Sequence, residues 1–333
     1  MPSSKPKPID VAAEAKKQYI PLIRDEYAHQ WPTYSYLFQK PIEQIPLQPL
    51  GPSFSPSPEF YVCSGDPVDF TIGWKKRVNT RIPFICAAND KRAGGDWETG
   101  VVGYEERLCR RSTLSATLST PGPGSQVDCN YPIPSEGAIY SEFVVVFRGP
   151  HDQYTKLDVW YDLPVVSMPP ARRPKLNQEL KCVFDVERDI ILNKIRSALR
   201  ICAYYGHRSV VIGDFGLGNG YRNPPQELAE TWREVFLYDT DLRGRFDQVA
   251  FVFEDVYQCT TKSILDDFAK KSARGSGSSK GKGKSSGSAS SNSAGDYSGP
   301  TDFDIFKHVF STAEVHARLN RPDPRCEISM LTS

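Results

Sequence analysis

RIPFICAANDKRAGGDWETGVVGYEERLCRRSTLS, residues 81–115, carries the pattern from which the fold can be read. IPFICAA (82–88) is almost wholly apolar. That suits a central strand covered on both faces. Asn89 and Asp90 fall where the strand gives way to a polar loop containing Gly94 and Gly95. A helix is expected to begin near Val102 or Gly103 and to run through Leu108 and Leu114, opening on the carboxylate pair Glu105–Glu106. Glycines let a backbone turn tightly and approach a ligand. Backbone N–H groups near a helix start suit an anionic group such as a diphosphate. Two carboxylates beside such a cradle offer one acid to hold a ribose and one to move a proton. A capped helix with a solvated acidic pair gives the same pattern, and the residues alone leave both readings open.

Upstream, residues 1–9 read as a tail. Asp10 is expected to cap a helix over 11–27 that Pro21 kinks or splits. Residues 28–59 read as ordered loop with a short strand or two. FYVCS (60–64) reads as a strand, and DPVDFTIGW (66–74) as another, placing Asp69 near the start of the core. Downstream, 118–134 is a proline-, glycine- and serine-rich loop, and EFVVVFRG (142–149) and YDLPVVSMPP (161–170) are strands. Ile190, Ile191, Ile195, Ala198, Leu199 and Cys202 recur at helical spacing up to Gly206. SVVIG (209–213) follows at once, which makes an α/β unit. Pro224 and Pro225 then open a helix, QVAFVFE (248–254) is a strand, and TKSILDDFAKKS (261–272) is a helix.

The 333 residues are 39% hydrophobic, enough for a sizeable core. A formal net charge of +1 argues against a broad nucleic-acid surface, and no run of 18 apolar residues suits a membrane span. Eight scattered cysteines include no C-x-x-C pair, and the N-terminus lacks the apolar run of a signal peptide. These features point to a cytoplasmic or nuclear monomer without a metal site. The expected organisation is a flexible tail (1–14), one α/β domain (15–271), a disordered Ser/Gly/Lys insertion (272–299) and a C-terminal segment (300–333) packing back on the domain.

The strand at 209–213 delivers a second glycine loop, Gly213-Asp214-Phe215-Gly216-Leu217-Gly218-Asn219-Gly220-Tyr221. Ligands of open α/β sheets collect outside the carboxyl ends of strands, so two such loops facing each other would wrap a diphosphate. The loop lies too late in the chain for a dinucleotide fingerprint, and no G-x-x-x-x-G-K-[ST] exists.

The order Asn89, Gly94-Gly95-Asp96, Tyr104-Glu105-Glu106 running into RLCRRSTL, then Gly213 to Gly218 with Asn223-Pro224, resembles the microbial-type poly(ADP-ribose) glycohydrolases, a branch of the macrodomain fold. The likeness spans roughly residues 15–270. It implies a three-layer α/β/α domain with a central mixed sheet, and hydrolysis of the bond to C1 of an ADP-ribose distal ribose without a cofactor. Glu106 would be the general acid and then base, and Glu105 would hold ribose hydroxyls. Asn89 would contact the distal ribose. The Gly94-Gly95 backbone and the 213–221 loop would hold the diphosphate, with Asp96, Tyr104, Gly213, Phe215, Gly216, Leu217, Gly218, Asn219 and Tyr221 lining the ligand. Arg107, Arg110 and Arg111 read as solvent-facing or salt-bridged, and His207 and His308 as surface or packing residues.

The chain departs from the family pattern at several of these positions. Asp96 replaces the third glycine, Tyr104 replaces the glutamine before the acid pair, Asp214 and Leu217 replace an alanine and a cysteine, and the second loop is about one residue longer. The expected activity is on poly- or mono-ADP-ribose. These departures point to a retuned substrate, terminal mono-ADP-ribose on protein or a small ADP-ribose derivative rather than long polymer. The expected partner is ADP-ribose or an ADP-ribosylated protein. A macrodomain that binds ADP-ribose without cutting it is the alternative.

Overall fold

The structure, a computed structural model, describes residues 5–50, 57–177, 179–275 and 298–320. Its strands are β1 (Tyr36–Phe38), β2 (Glu59–Ser64), β3 (Phe84–Ala87), β4 (Ala138–Arg148), β5 (Lys156–Met168), β6 (Ser209–Ile212) and β7 (Gln248–Phe253). They form one sheet in the order β1-β4-β5-β3-β6-β7-β2. β1, β4 and β5 pair antiparallel, and every pair from β5 through β3, β6 and β7 to β2 is parallel.

Every side chain of β3 is buried, because successive residues point to opposite faces and both faces are covered. Ile85 and Ala87 enter one apolar core, built with the helices Asp185–Tyr204, Pro225–Tyr238 and Asp302–Val309. Phe84 and Cys86 enter the other, built with the helices Pro67–Val78, Tyr104–Arg111 and Leu114–Ser119 and the N-terminal helical run. The result is the expected three-layer α/β/α arrangement around a mixed sheet. Its five parallel strands end at one edge, where the loops after β5, β3, β6, β7 and β2 gather.

Several local expectations change. DPVDFTIGW is a helix, Pro67–Val78. Asp66 caps it, its Oδ1 accepting the Val68 and Asp69 N–H groups at 3.0 and 2.9 Å, and Pro67 sits in its first turn. Asp-Pro ahead of a carboxylate is a helix-start signal that outweighs the β-branched residues. Asp10 is not a cap but lies in the first turn of the helix Pro8–Glu14, whose Val11 and Ala12 are buried, so order begins inside the expected tail. The run continues through a π turn, Ala15–Tyr19, into Ile20–Glu26 with Pro21 in its first turn, so the missing proline N–H falls where the hydrogen-bond ladder is already irregular. The helix after the acid pair ends at Arg111. Ser112 is extended and bridges to Val146 of β4 before Leu114–Ser119 begins. Pro164 within β5 is tolerated because the β4–β5 register breaks between Ser141 and Val144, opposite it. A capping box at Thr301 starts the helix Asp302–Val309, which seats Ile305, Phe306 and Val309 in the core. Most of the expected insertion (276–297) and residues 321–333 lie outside the described residues.

Candidate functional site at the carboxyl edge of the sheet

β3 and β6 are adjacent and parallel, with Phe84 opposite Val211 and Ile85 opposite Ile212. The loops that follow them, 88–103 and 213–224, therefore rise side by side from one sheet edge. This is the juxtaposition the sequence reading required.

In the first loop, Gly94 and Gly95 hold φ of +72° and +55°, a left-handed conformation that side chains resist. A methyl on Gly94 would also lie 2.8 Å from Cys109 Sγ. Gly103 then caps the helix Tyr104–Arg111 in extended conformation. The two carboxylates of its first turn have different surroundings because consecutive helical residues point about 100° apart. Glu105 turns inward. It is 2% exposed, its Oε2 accepts the Asn89 N–H at 2.7 Å, and its Oε1 is buried with no hydrogen-bond partner. Burial pushes its carboxyl up to about 8, against the Asn89 amide, which favours the anion; the Glu106 charge adds to the rise. Glu106 is half-buried and lies along the loop itself. A methyl on Gly95 or Gly103 would overlap its carboxylate, and the Asp96 N–H approaches its Oε1 at 3.4 Å.

Arg110 fastens this loop. It is 1% exposed and donates to the carbonyls of Trp97, Thr99 and Val101 at 2.8, 2.8 and 2.5 Å. Arg111, 2% exposed, pairs with Asp66 and Asp69, while Arg107 pairs with Glu254. Arg107 and Arg111 thus salt-bridge carboxylates as expected, whereas Arg110 does neither of the expected things. Asp69 is engaged by Arg111 rather than standing free.

In the second loop, Phe215 and Leu217 are core residues, 4% and 1% exposed, and Phe215 packs edge-on against Trp232. Neither side chain faces the crevice. Gly216 and Gly218 hold φ of +77° and +75°. The Gly218 N–H donates to Thr260 Oγ1 at 2.7 Å, so that amide is engaged within the protein. Thr260 in turn donates to Asp302, which Gln258 also holds. The loop is thus bolted to the helix Asp302–Val309, and the sequence carried no local sign of the connection. Gly213 packs over Phe84. Asn219 is exposed, and its Oδ1 accepts from Arg222. Asp214 is 5% exposed with Oδ1 unpartnered, and burial pushes it up to about 8.

The loops meet through Tyr104, whose hydroxyl donates to Gln258 Oε1 at 3.2 Å. Gln258 also lies against Gly218: a methyl there would sit 2.9 Å from its Oε1. Tyr221 projects back toward the first loop. Its hydroxyl is raised by burial, with the charges of Glu105 and Glu106 contributing and the Arg172 guanidinium, 5.5 Å from its ring, opposing. Asp96 points away from the crevice, paired with Arg92 and 47% exposed, so its charge does not face a ligand between the loops. The Asn89 side-chain oxygen is taken by the turn, accepting the Lys91 and Arg92 N–H groups at 2.8 and 3.2 Å.

Two groups at the site carried no motif. Tyr131 presents a buried, unpartnered hydroxyl whose strongest charge neighbour is Glu105. Arg172, after β5, lies between Tyr221 and Asp90.

Residues 57–149 match the family model described as microbial-type PARG, catalytic domain, and this segment holds both glycines of the first loop and the acid pair. The resemblance read from the sequence is borne out there. The fold is that of poly(ADP-ribose) glycohydrolase from Thermomonospora curvata. That crystal structure superposes with a TM-score of 0.60 at 20% identity, covering 79% of this chain and 98% of that one. The same enzyme bound to the inhibitor ADP-HPD gives 0.59 at 20% identity over the same shares. No curated protein sequence matches the chain.

Proposed function

We propose that this protein is an ADP-ribose-directed glycohydrolase that cleaves the glycosidic bond at C1 of the distal ribose. The observation that carries this reading is the seat of Glu106: its carboxylate rests on Gly95 and Gly103, at the crevice between two adjacent parallel strand ends. A diphosphate laid between the two loops places its distal sugar beside that carboxylate. The Thermomonospora curvata enzyme of the same fold has been solved bound to the inhibitor ADP-HPD. The matched family segment covers the acid pair.

The residues then divide the work. Glu106 gives its proton to the oxygen leaving C1, and the C1–O bond breaks. The resulting carboxylate takes a proton from the water whose oxygen bonds to C1. Glu105, pushed up to about 8 by burial, is the residue we assign to the ribose hydroxyls. Tyr131 offers a second hydroxyl beside it. The left-handed turns at Gly94-Gly95 and Gly216 let backbone approach the diphosphate, and Tyr221, beside the acid pair, faces the sugar.

The test is turnover of poly(ADP-ribose) and of mono-ADP-ribosylated protein by the wild type beside Glu106→Gln. Release of ADP-ribose by the wild type and a loss of about 100-fold or more in the variant are expected. Tight ADP-ribose binding with no release from either substrate would make the protein a reader and sink the hydrolase.

A further inference from the structure

The helix Thr260–Gly275 turns Ile264, Asp267, Phe268 and Lys271 to one face, three and four residues apart. Residues 173–176, after β5, and Arg222, after the second glycine loop, complete a cleft of about 300 Å³ with that face. Its charges do not balance. Arg173, Lys175, Arg222 and Lys271 bring four cations to it, against Asp267, the one carboxylate among its described lining residues. Arg222 already pairs with Asp267, and its Nε donates to Asn219 Oδ1 at 2.9 Å. The Arg173 guanidinium donates to the Asn219 carbonyl at 3.3 Å, and the Lys175 ammonium lies 5.3 Å from the centre of the Phe184 ring. Among the described residues, no carboxylate forms an ion pair with Arg173, Lys175 or Lys271. Arg222 registers the surplus: burial, and then the Arg173 charge, hold it below its ordinary value.

We propose that this cleft is a second ligand site, separate from the crevice at the acid pair, and that it takes a mononucleotide. The inference stands apart from the glycohydrolase reading: none of the lining residues belongs to the acid pair or to either set of left-handed glycines. Two properties of the cleft select the ligand. Its cations call for an anion, and a guanidinium matches the oxygens of a phosphate while its flat face stacks on a ring. The rest of its lining is apolar, from Pro174, Leu176, Ile264 and Phe268. A bare phosphate would leave that surface in water, whereas a base covers it. The volume sets the length. Ligand pockets run to about 300–1,000 Å³, and this one, at the small end, suits one base with its phosphate rather than a dinucleotide. The phosphate then lies among Arg173, Lys175 and Lys271, which lack carboxylate partners, and Arg222 keeps its bond to Asp267. The base lies against Leu176 and Phe268.

The experiment titrates AMP, ribose 5-phosphate and adenosine into the full chain and follows the methyl resonances of Leu176 and Ile264, which line the cleft. AMP is expected to shift both saturably, with a Kd about tenfold or more below that of either fragment, since each fragment lacks one half of the match. Lys175→Glu combined with Lys271→Glu reverses two exposed charges and is expected to weaken AMP at these resonances by about tenfold or more. Should the double variant fail to fold, the two fragments carry the test on the wild type. AMP that leaves both resonances in place, or an affinity the double variant does not change, overturns the site. Ribose 5-phosphate that binds as tightly as AMP reduces it to an ion site and overturns the nucleotide, and adenosine that does so overturns the role of the cations. Each of these results leaves turnover at Glu106 as a separate question.

Discussion

Gly103 and Arg110 divide the labour of the first loop between chemistry and stability. Gly103 is extended, so an alanine is free of backbone strain there, yet its methyl would occupy the space of the Glu106 carboxylate. That carboxylate ends a flexible side chain and can swing aside. Gly103→Ala is expected to lower stability by no more than about 1 kcal/mol while removing about 100-fold or more of turnover. Paired melting and rate measurements check it. Arg110 is the reverse case. Arg110→Met leaves the carbonyls of Trp97, Thr99 and Val101 without their donor and is expected to destabilise the fold by about 2–4 kcal/mol, read by denaturant unfolding. Its position on the helix is plain in the sequence, but an arginine pattern does not say whether its partners are water, carboxylates or loop carbonyls. The acid pair was readable because adjacent carboxylates at a helix start diverge by geometry alone. Tyr131 and Arg172 were not, since they come from loops that only the sheet order brings to the site.

Among the elements, the helix Pro67–Val78 was misread as strand. Val68, Phe70, Thr71 and Ile72 suit a strand locally, and what decides is the Asp66 cap with the proline after it. Asp66 has a second task, holding the buried Arg111. Asp66→Ala is therefore expected to exceed the usual loss of a cap, about 1 kcal/mol, and to reach about 3 kcal/mol because a buried guanidinium loses a partner. Asp66→Asn, which keeps the cap acceptor, should fall between. The helix Asp302–Val309 falls in the C-terminal segment expected only to pack back on the domain. It fixes the second glycine loop through Asp302, Thr260 and Gly218. No local pattern links residues 42 positions apart, so only the structure reveals that this helix supports the site.

For the molecule as a whole, the parallel sheet sets both the site and its electrostatic burden. The buried strand at 82–88 and the helix–turn–strand unit ending at 213 sufficed to place two glycine loops at one edge. Strand order was beyond reach, because period-two burial does not say which strand lies next to which. The same burial raises Glu105 and Asp214 to about 8 each. In the unfolded chain such groups titrate near 4. Between about pH 4 and 8 the folded state keeps protons that the unfolded state releases, so stability falls as pH rises through this window. Each group contributes a slope of up to about 1.4 kcal/mol per pH unit. Asp214→Asn is expected to flatten the profile, gaining on the wild type at pH 8 and matching it near pH 4; melting temperatures across that range check it. A wild-type profile that rises toward pH 8 would show these carboxyls ionised in the fold.

The central claim is that the loops after β3 and β6 clasp one diphosphate and leave Glu106 at the sugar's reactive carbon. A crystal structure with ADP-ribose bound tests it most directly. The account predicts phosphates between the 94–95 and 216–221 backbones, and a Glu106 carboxylate oxygen about 3 Å from the C1 hydroxyl. ADP-ribose bound elsewhere, or in the crevice with its C1 turned away from Glu106, would contradict it.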